Sequence, residues 1–185
     1  MVMLVLDLRS DPGGLLLAAV QIAEKFLEWG KLIVSTRGRG PDQNVDLTAQ
    51  ATTSYLDLPM VVLVDEGSAS ASEIVAGAPQ DWGRATIVGP RTFGKGTVQT
   101  IIPLSDGSAL RLTTAKYFTP NGRSIDGTGL TPDVIVEAAK PPVGASGPPL
   151  TLDTARDLKD DPQLQRAIEI LRASTALRVR LRQGQ

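Results

Sequence analysis

Twice in this chain a short run of Val, Leu and Met ends at a small-residue turn and leads straight into a helix-spaced apolar pattern. The first run, M-V-M-L-V-L-D-L (residues 1–8), enters R-S-D-P-G-G; the second, P-M-V-V-L-V-D (residues 59–65), enters E-G-S-A-S-A-S-E. Unbroken apolar runs of this length suit a strand covered on both faces, and strands alternating with helices predict an α/β protein. After the first run, Pro12, Gly13 and Gly14 form a tight turn. Leu16, Ala19, Val20, Ala23, Phe26 and Leu27 then recur at helical spacing, Gly30 ends the helix, and Leu32 to Thr36 reads as a strand. Such a unit predicts a parallel crossover. After the second run, Ala71, Ile74, Val75 and Ala78 share one helical face. Pro79 is expected to kink or end that helix, because it removes one backbone hydrogen bond. Ala85 to Val88 then reads as a third short strand.

The remainder is richer in β pattern. Residues 37–57 show no clear period and are expected to form a surface connection. Residues 97–104 and 109–118 read as two β segments joined by the turn S-D-G-S, and V-I-V-E (134–137) reads as a last strand. A Pro/Gly-rich stretch follows. Asp161 and Pro162 then cap and open a helix whose face carries Leu164, Ala167, Ile168 and Leu171. The predicted organisation is a core over residues 1–137, a linker over 138–160 and a C-terminal helix over 161–185. A chain that opens inside a strand is expected to lack its natural N-terminal portion.

With 185 residues the chain suits one domain. Nineteen basic and twenty acidic residues give a formal net charge of −1, which argues against a nucleic-acid surface built on bulk charge. No run of 18 apolar residues suggests a membrane span, and the first residues lack the basic segment of a signal peptide. The chain contains no cysteine and no histidine. That removes disulfides, thiolate nucleophiles, imidazole metal ligands and Ser-His-Asp chemistry, and no metal site or cofactor is expected. Catalysis near neutral pH must rely on Lys, Asp or Glu, Tyr, or backbone groups.

Three segments are candidate sites. Residues 89–95, G-P-R-T-F-G-K, match the spacing of a phosphate loop. The residue after the lysine is Gly96 where Ser or Thr is needed, and the next segment reads as a strand where a helix N-terminus is needed, so nucleotide binding is not expected. The D-P-G-G turn has a plain reading as a helix entry and a functional one. Two glycines without side chains allow a backbone N–H to approach a bound oxyanion. The serine cluster is equally two-sided. Ser70-x-x-Glu73 is a capping box, which makes Ser70 an ordinary N-cap, with Ser68 and Ser72 as small helix-entry residues. Yet a serine at a strand-to-helix turn also stands where α/β sheets present nucleophiles. Without histidine, lysine is the natural base, provided that a dry pocket keeps its amine neutral. Lys95, flanked by Gly94 and Gly96 and next to Phe93, is the candidate, with Gln99 four residues on as an orienting partner.

Together, D-L-R-S-D-P-G-G-L-L, V-V-L-V-D-E-G-S-A-S-A-S-E-I-V-A-G-A, R-T-F-G-K-G-T-V-Q-T and L-S-D-G-S-A-L-R-L-T-T-A-K-Y-F-T-P-N-G-R-S-I resemble the C-terminal processing peptidases, or tail-specific proteases. The resemblance runs from residue 4 to about 137. It implies a serine endopeptidase that cleaves proteins near their C-terminus through an acyl-enzyme, with Ser70 as nucleophile, Lys95 as base and Gln99 assisting. It places the oxyanion donors at the N–H of Ala71 and at Gly13 or Gly14. It further implies an α/β core of ββα units, similar to the Clp protease and crotonase fold, with a β-rich C-terminal half and a terminal helix.

Partners implied by the resemblance are protein or peptide substrates with an accessible tail, and it admits a homo-oligomer and a PDZ domain or adaptor outside this chain. The family's setting is the periplasm, the cell envelope or another extracytoplasmic space. Two departures from the family pattern are S-D-P-G-G, where N-N-P-G-G is commoner, and Pro79, where an apolar helix former is usual. The competing expectation is a non-catalytic binding module on the same fold.

Overall fold

The computed structural model describes residues 3–52, 55–138 and 161–183. In chain order the elements are β1 (Leu4–Asp7), α1 (Leu16–Ala23), β2 (Leu32–Gly38), a 3₁₀ turn (Pro41–Gln43), β3 (Val45–Thr48), β4 (Met60–Leu63), α2 (Ala71–Asp81), β5 (Thr86–Val88), β6 (Thr97–Pro103), β7 (Ala109–Phe118) and α3 (Pro162–Gln183). They form two sheets. One is three-stranded and parallel in the order β1-β4-β5; the other is four-stranded, in the order β3-β2-β7-β6, with every neighbouring pair antiparallel.

The central strand β4 explains its own sequence. Met60 and Val62 join the main core with Ala19, Ala23, Ile74, Val75 and Ala78 of α1 and α2. Val61 and Leu63 point the other way, into a second cluster with Val88 and with Ala167 and Leu171 of α3. A strand covered on both faces needs apolar residues at consecutive positions, hence M-V-V-L. Helix α3 is therefore packed on the sheet. Asp161 caps it through the Leu164 N–H at 3.0 Å, and Arg9, just beyond β1, donates to Asp161 at 2.7 Å and to Gln163 at 3.0 Å.

Several expectations change. β1 pairs with β4, whereas β2 lies in the antiparallel sheet, so the first strand–helix–strand unit is not a parallel crossover. Local pattern signals a strand but not its partner, which depends on residues tens of positions away. The stretch read as an irregular connection contains β3, held against β2 from Val45 to Thr48. Its polar residues suit a sheet edge and carry little apolar periodicity. Segment 134–137 contributes only an isolated bridge, Val134 to Val88. α1 ends at Ala23, before Phe26 and Leu27. Pro79 lies buried in the last turn of α2, which ends two residues on at Asp81, in keeping with a helix that stops near its proline. The linker falls almost wholly outside the described residues. The mixed α/β architecture, with its ββα-unit core, β-rich second half and terminal helix, is the one expected.

Candidate active site

The carboxyl ends of β1 and β4 lie side by side, and the turns that follow them interlock. The Ala69 N–H donates to the Asp11 carbonyl at 3.0 Å, and the Asp65 carboxylate accepts from the Ser10 N–H at 2.7 Å and from the Ser10 hydroxyl at 3.0 Å. Gly13 lies so close to the serine turn that a Cβ there would sit 2.5 Å from the Ala69 carbonyl and 2.7 Å from the Ala71 nitrogen. Its φ of +89° is a second reason for glycine. The glycine turn is thus packed against the start of α2.

The three serines have different surroundings. Ser68 is fully buried; its hydroxyl donates to the Leu8 carbonyl at 2.7 Å and accepts from the Asp65 N–H at 2.9 Å. Ser72 is buried too, and its hydroxyl has no partner among the described residues. Ser70 is only half-buried. Its backbone has φ +59° and ψ −116°, a conformation L-residues avoid and one that tertiary packing must hold in place. Its hydroxyl makes no cap hydrogen bond; the cap is supplied from the other direction, by Glu73 accepting from the Ser70 N–H at 2.8 Å. The Ser70–Glu73 contact is thus made through the Ser70 backbone N–H, not through its hydroxyl.

Backbone donors near Ser70 also separate. The Gly13 N–H is taken by the Asp11 carboxylate at 2.9 Å. Those of Gly14 and Ala71 have no partner among the described residues. A cavity of about 210 Å³ adjoins them, lined on its apolar side by Leu6, Leu8, Ala18, Ile22 and Val75, and with Asp11, Gly13, Gly14 and Ala71 also on its wall.

The segment from Thr92 to Lys95 comes against the same helix start. The Phe93 N–H donates to the Ser68 carbonyl at 3.0 Å. Glu73, wholly buried, holds the rest. Its Oε1 accepts from the Thr92 hydroxyl at 2.5 Å and the Gly94 N–H at 2.9 Å; its Oε2 accepts from the Ser70 N–H and, at 2.9 Å, from the Lys95 N–H. The backbone nitrogens of Ser70 and Lys95 thus converge on one oxygen atom. Gly94, at φ +89°, and Gly96 leave room for the 125–129 segment, because a Cβ on Gly94 would meet the Gly129 nitrogen at 2.7 Å.

The enclosure expected around Lys95 is not found. Lys95 and Gln99 are exposed, they make no hydrogen bond to each other, and Phe93 is 68 % exposed. The start of β6 stands at the surface, so nothing among the described residues covers the amine. The phosphate-loop alternative fails structurally, since β6 and not a helix follows Lys95. Sequence reasoning missed the second role of Glu73 and the parts played by Thr92, Asp65 and Arg9. Ser70-x-x-Glu73 was visible as a cap, but its contacts with residues 92–95 are tertiary. Arg9 is held above its ordinary pKa: burial works against the charge, but hydrogen bonds and attraction from Asp7 and Asp161 outweigh it.

The family model for peptidase family S41 matches residues 1–136. A carboxy-terminal-processing protease of Bartonella bacilliformis is 47% identical over 190 residues, covering 91% of this chain and 44% of that protein. A carboxyl-terminal-processing protease of Synechocystis is 46% identical over 133 residues, covering 72% of this chain and 30% of that one. The chain spans less than half the length of these curated relatives. Among solved structures, a photosystem II D1 C-terminal processing protease superposes with a TM-score of 0.68 at 40% identity, covering 74% of this chain and 35% of that one. An S41 protease structure from Bacteroides fragilis, 20% identical, shares the fold with a TM-score of 0.69, covering 94% of this chain and 45% of that one. With its glycine turn, serine turn and lysine segment joined at the start of one helix, the chain belongs to peptidase family S41, among relatives named carboxy-terminal-processing proteases.

Proposed function

We propose that residues 1–137 form the catalytic core of a serine endopeptidase that cleaves proteins near their C-terminus, with Ser70 and Lys95 as the reacting pair. The observation that carries the reading is the convergence of the Ser70 and Lys95 backbones on a single oxygen of Glu73. In this reading the neutral Lys95 amine takes the Ser70 proton as Oγ attacks the carbonyl carbon of the scissile peptide. The tetrahedral oxyanion lies between the N–H groups of Ala71 and Gly14, since that of Gly13 is already donated to Asp11. The lysine ammonium returns the proton to the leaving amine. The acyl-enzyme ester is then hydrolysed by a water whose proton passes to the same amine. The apolar cavity beside the glycine turn receives the side chain preceding the scissile bond.

Lys95 is exposed among the described residues, and in this reading bound substrate or protein outside them covers its amine. Gln99 then orients the covered amine. Helix 161–183, docked on β4 through Leu171, acts as part of the same body as the core. The test is Ser70→Ala and Lys95→Ala in the natural full-length protein, assayed on a peptide with a free C-terminal tail. Loss of cleavage in both is expected, and normal cleavage in either overturns the assignment. A fluorophosphonate probe separates this reading from a non-catalytic module: covalent labelling of Ser70 supports the enzyme, and well-folded protein that stays unlabelled supports the module.

A further inference from the structure

We propose that the apolar stripe Leu15, Ala18 and Ile22, beside the glycine turn, is a second substrate subsite: it selects an apolar side chain two residues before the one at the scissile bond. This rests on the Ser70–Lys95 reading and on the neighbouring cavity as the pocket for the residue at the scissile bond. It adds which substrate residue is read next, and by what. Leu15 is the N-cap of α1, and with Ala18 and Ile22 it stands at i, i+3 and i+7, on one face of the helix. Ala19 and Ala23, a step further round, are buried in the core. The stripe itself is open, with Leu15 78 % and Ile22 46 % exposed. A lone exposed leucine needs no explanation. These three residues, however, form one wall of the cavity of about 210 Å³ that the buried Leu8 and Val75 also line.

The stripe begins one residue after Gly14, whose N–H the catalytic reading gives to the oxyanion. That reading anchors the attacked carbonyl at the Leu15 end. A Cβ on Gly14 would meet nothing within 4 Å, so the space before it is free for a substrate backbone. From Leu15 to Ile22 the helix rises about 10 Å, at roughly 1.5 Å per residue. An extended polypeptide returns its side chains to the same side every second residue, about 7 Å on. A chain that sets one side chain in the cavity and runs along α1 therefore brings the next same-side residue over Ala18 and Ile22, while the residue between them points away. Ala18, small between two long aliphatic side chains, leaves a dip that a branched side chain fills. The wall also favours that chemistry. Its one carboxylate, Asp11, already accepts from the Gly13 N–H at 2.9 Å. An apolar side chain laid here removes apolar surface from water on both partners, whereas a charged one loses hydration and gains no partner.

The experiment uses the full-length protein and peptides with one sequence and one free C-terminal tail, in which only the residue two before the scissile one is varied: Leu, Ala, Asp or Lys. Cleavage at the same bond is checked by mass spectrometry. For the parent protein, kcat/KM is expected to be roughly tenfold higher with Leu than with Asp or Lys. The same changes at the intervening residue should stay within about twofold. Ile22→Glu should raise the Lys-to-Leu ratio of kcat/KM about tenfold or more, because the new carboxylate repels nothing in lysine and pairs with it. Leu15→Ala should lower kcat/KM for the Leu peptide about threefold and spare the Lys peptide. If Ile22→Glu does not fold, the preference of the parent and the Leu15→Ala variant carry the test. A parent that cleaves all the peptides within about twofold overturns the subsite. So does an Ile22→Glu variant that lowers cleavage of all of them equally, as loss of a contact with another part of the protein would. With Ser70→Ala inactive, either outcome leaves the catalytic reading standing. Activity surviving in Ser70→Ala overturns the catalytic reading, and the subsite with it.

Discussion

The serine side and the lysine side of the candidate site are built to different standards of confinement. Ser70 stands at the head of α2, a helix whose residues from Ala71 to Pro79 are all buried. Two other turns and a buried carboxylate fix it in a backbone conformation it would not choose. Lys95 has its backbone fixed by the same carboxylate, yet its side chain and that of Gln99 are in solvent at the root of β6 and β7. Beyond them the β6–β7 hairpin exposes Ile101, Ile102, Leu104, Leu110 and Leu112. The core therefore fixes the backbone at both Ser70 and Lys95, whereas the described residues leave the lysine side chain uncovered. In the proposed reading, Ser70 and the glycine turn are held in place by the core, and Lys95 is enclosed only when substrate or further protein covers it.

Changes on both sides test that contrast, beginning with the reacting groups. Ser70→Ala and Lys95→Ala are expected to reduce peptide cleavage on the order of 10⁴-fold or more, with thermal stability little changed, checked by steady-state kinetics and calorimetry. Gly13→Ala should abolish activity and destabilise the chain by about 2 kcal/mol or more, since its Cβ would collide with the Ala69 carbonyl and its φ is unfavourable for alanine. Denaturant unfolding beside the cleavage assay measures both effects.

Arg9→Met, which leaves the Asp7–Asp161 pair without its cation, should cost about 3 kcal/mol by urea unfolding, the scale of breaking a buried pair. On the other side, Gln99→Ala is expected to lower kcat about tenfold without a stability change, as fits an orienting group in an exposed position. Leu112→Lys on the hairpin should stay within about 0.5 kcal/mol of the parent in urea, because an exposed side chain has little packing to lose. A large destabilisation there would show the hairpin to be covered, and would erase the contrast.

Much of this was legible in the chain. The double-sided apolar run M-V-V-L, the capping signal at Asp161–Pro162 and the glycine and serine turns announced themselves, because each depends on residues within a few positions. What was not legible was pairing. β2 offered the same apolar residues to a parallel or an antiparallel neighbour, and it takes two antiparallel ones, β3 about ten residues on and β7 about eighty. β3 carries little signal because an edge strand needs few apolar residues, and V-I-V-E reads as a strand because β-branched residues suit an isolated bridge as well. Pro79 is a different case, a helix stop read from the sequence near which α2 does end. Burial of α2 on several sides holds the helix through a residue that local propensity counts against.

The sequence by itself determined the chemistry that could occur: with neither histidine nor cysteine, the base for a serine nucleophile had to come from a short list of residue types, among which the motifs offer Lys95 as the candidate. Only the tertiary structure decided how the pieces meet. It buried Ser68 and Ser72 while leaving Ser70 half-open, assigned the Gly13 N–H to Asp11, and gathered the serine turn and lysine segment around Glu73. The physical reason is that a hydrogen bond's value depends on burial and on partners twenty to sixty residues away, and no local pattern encodes either.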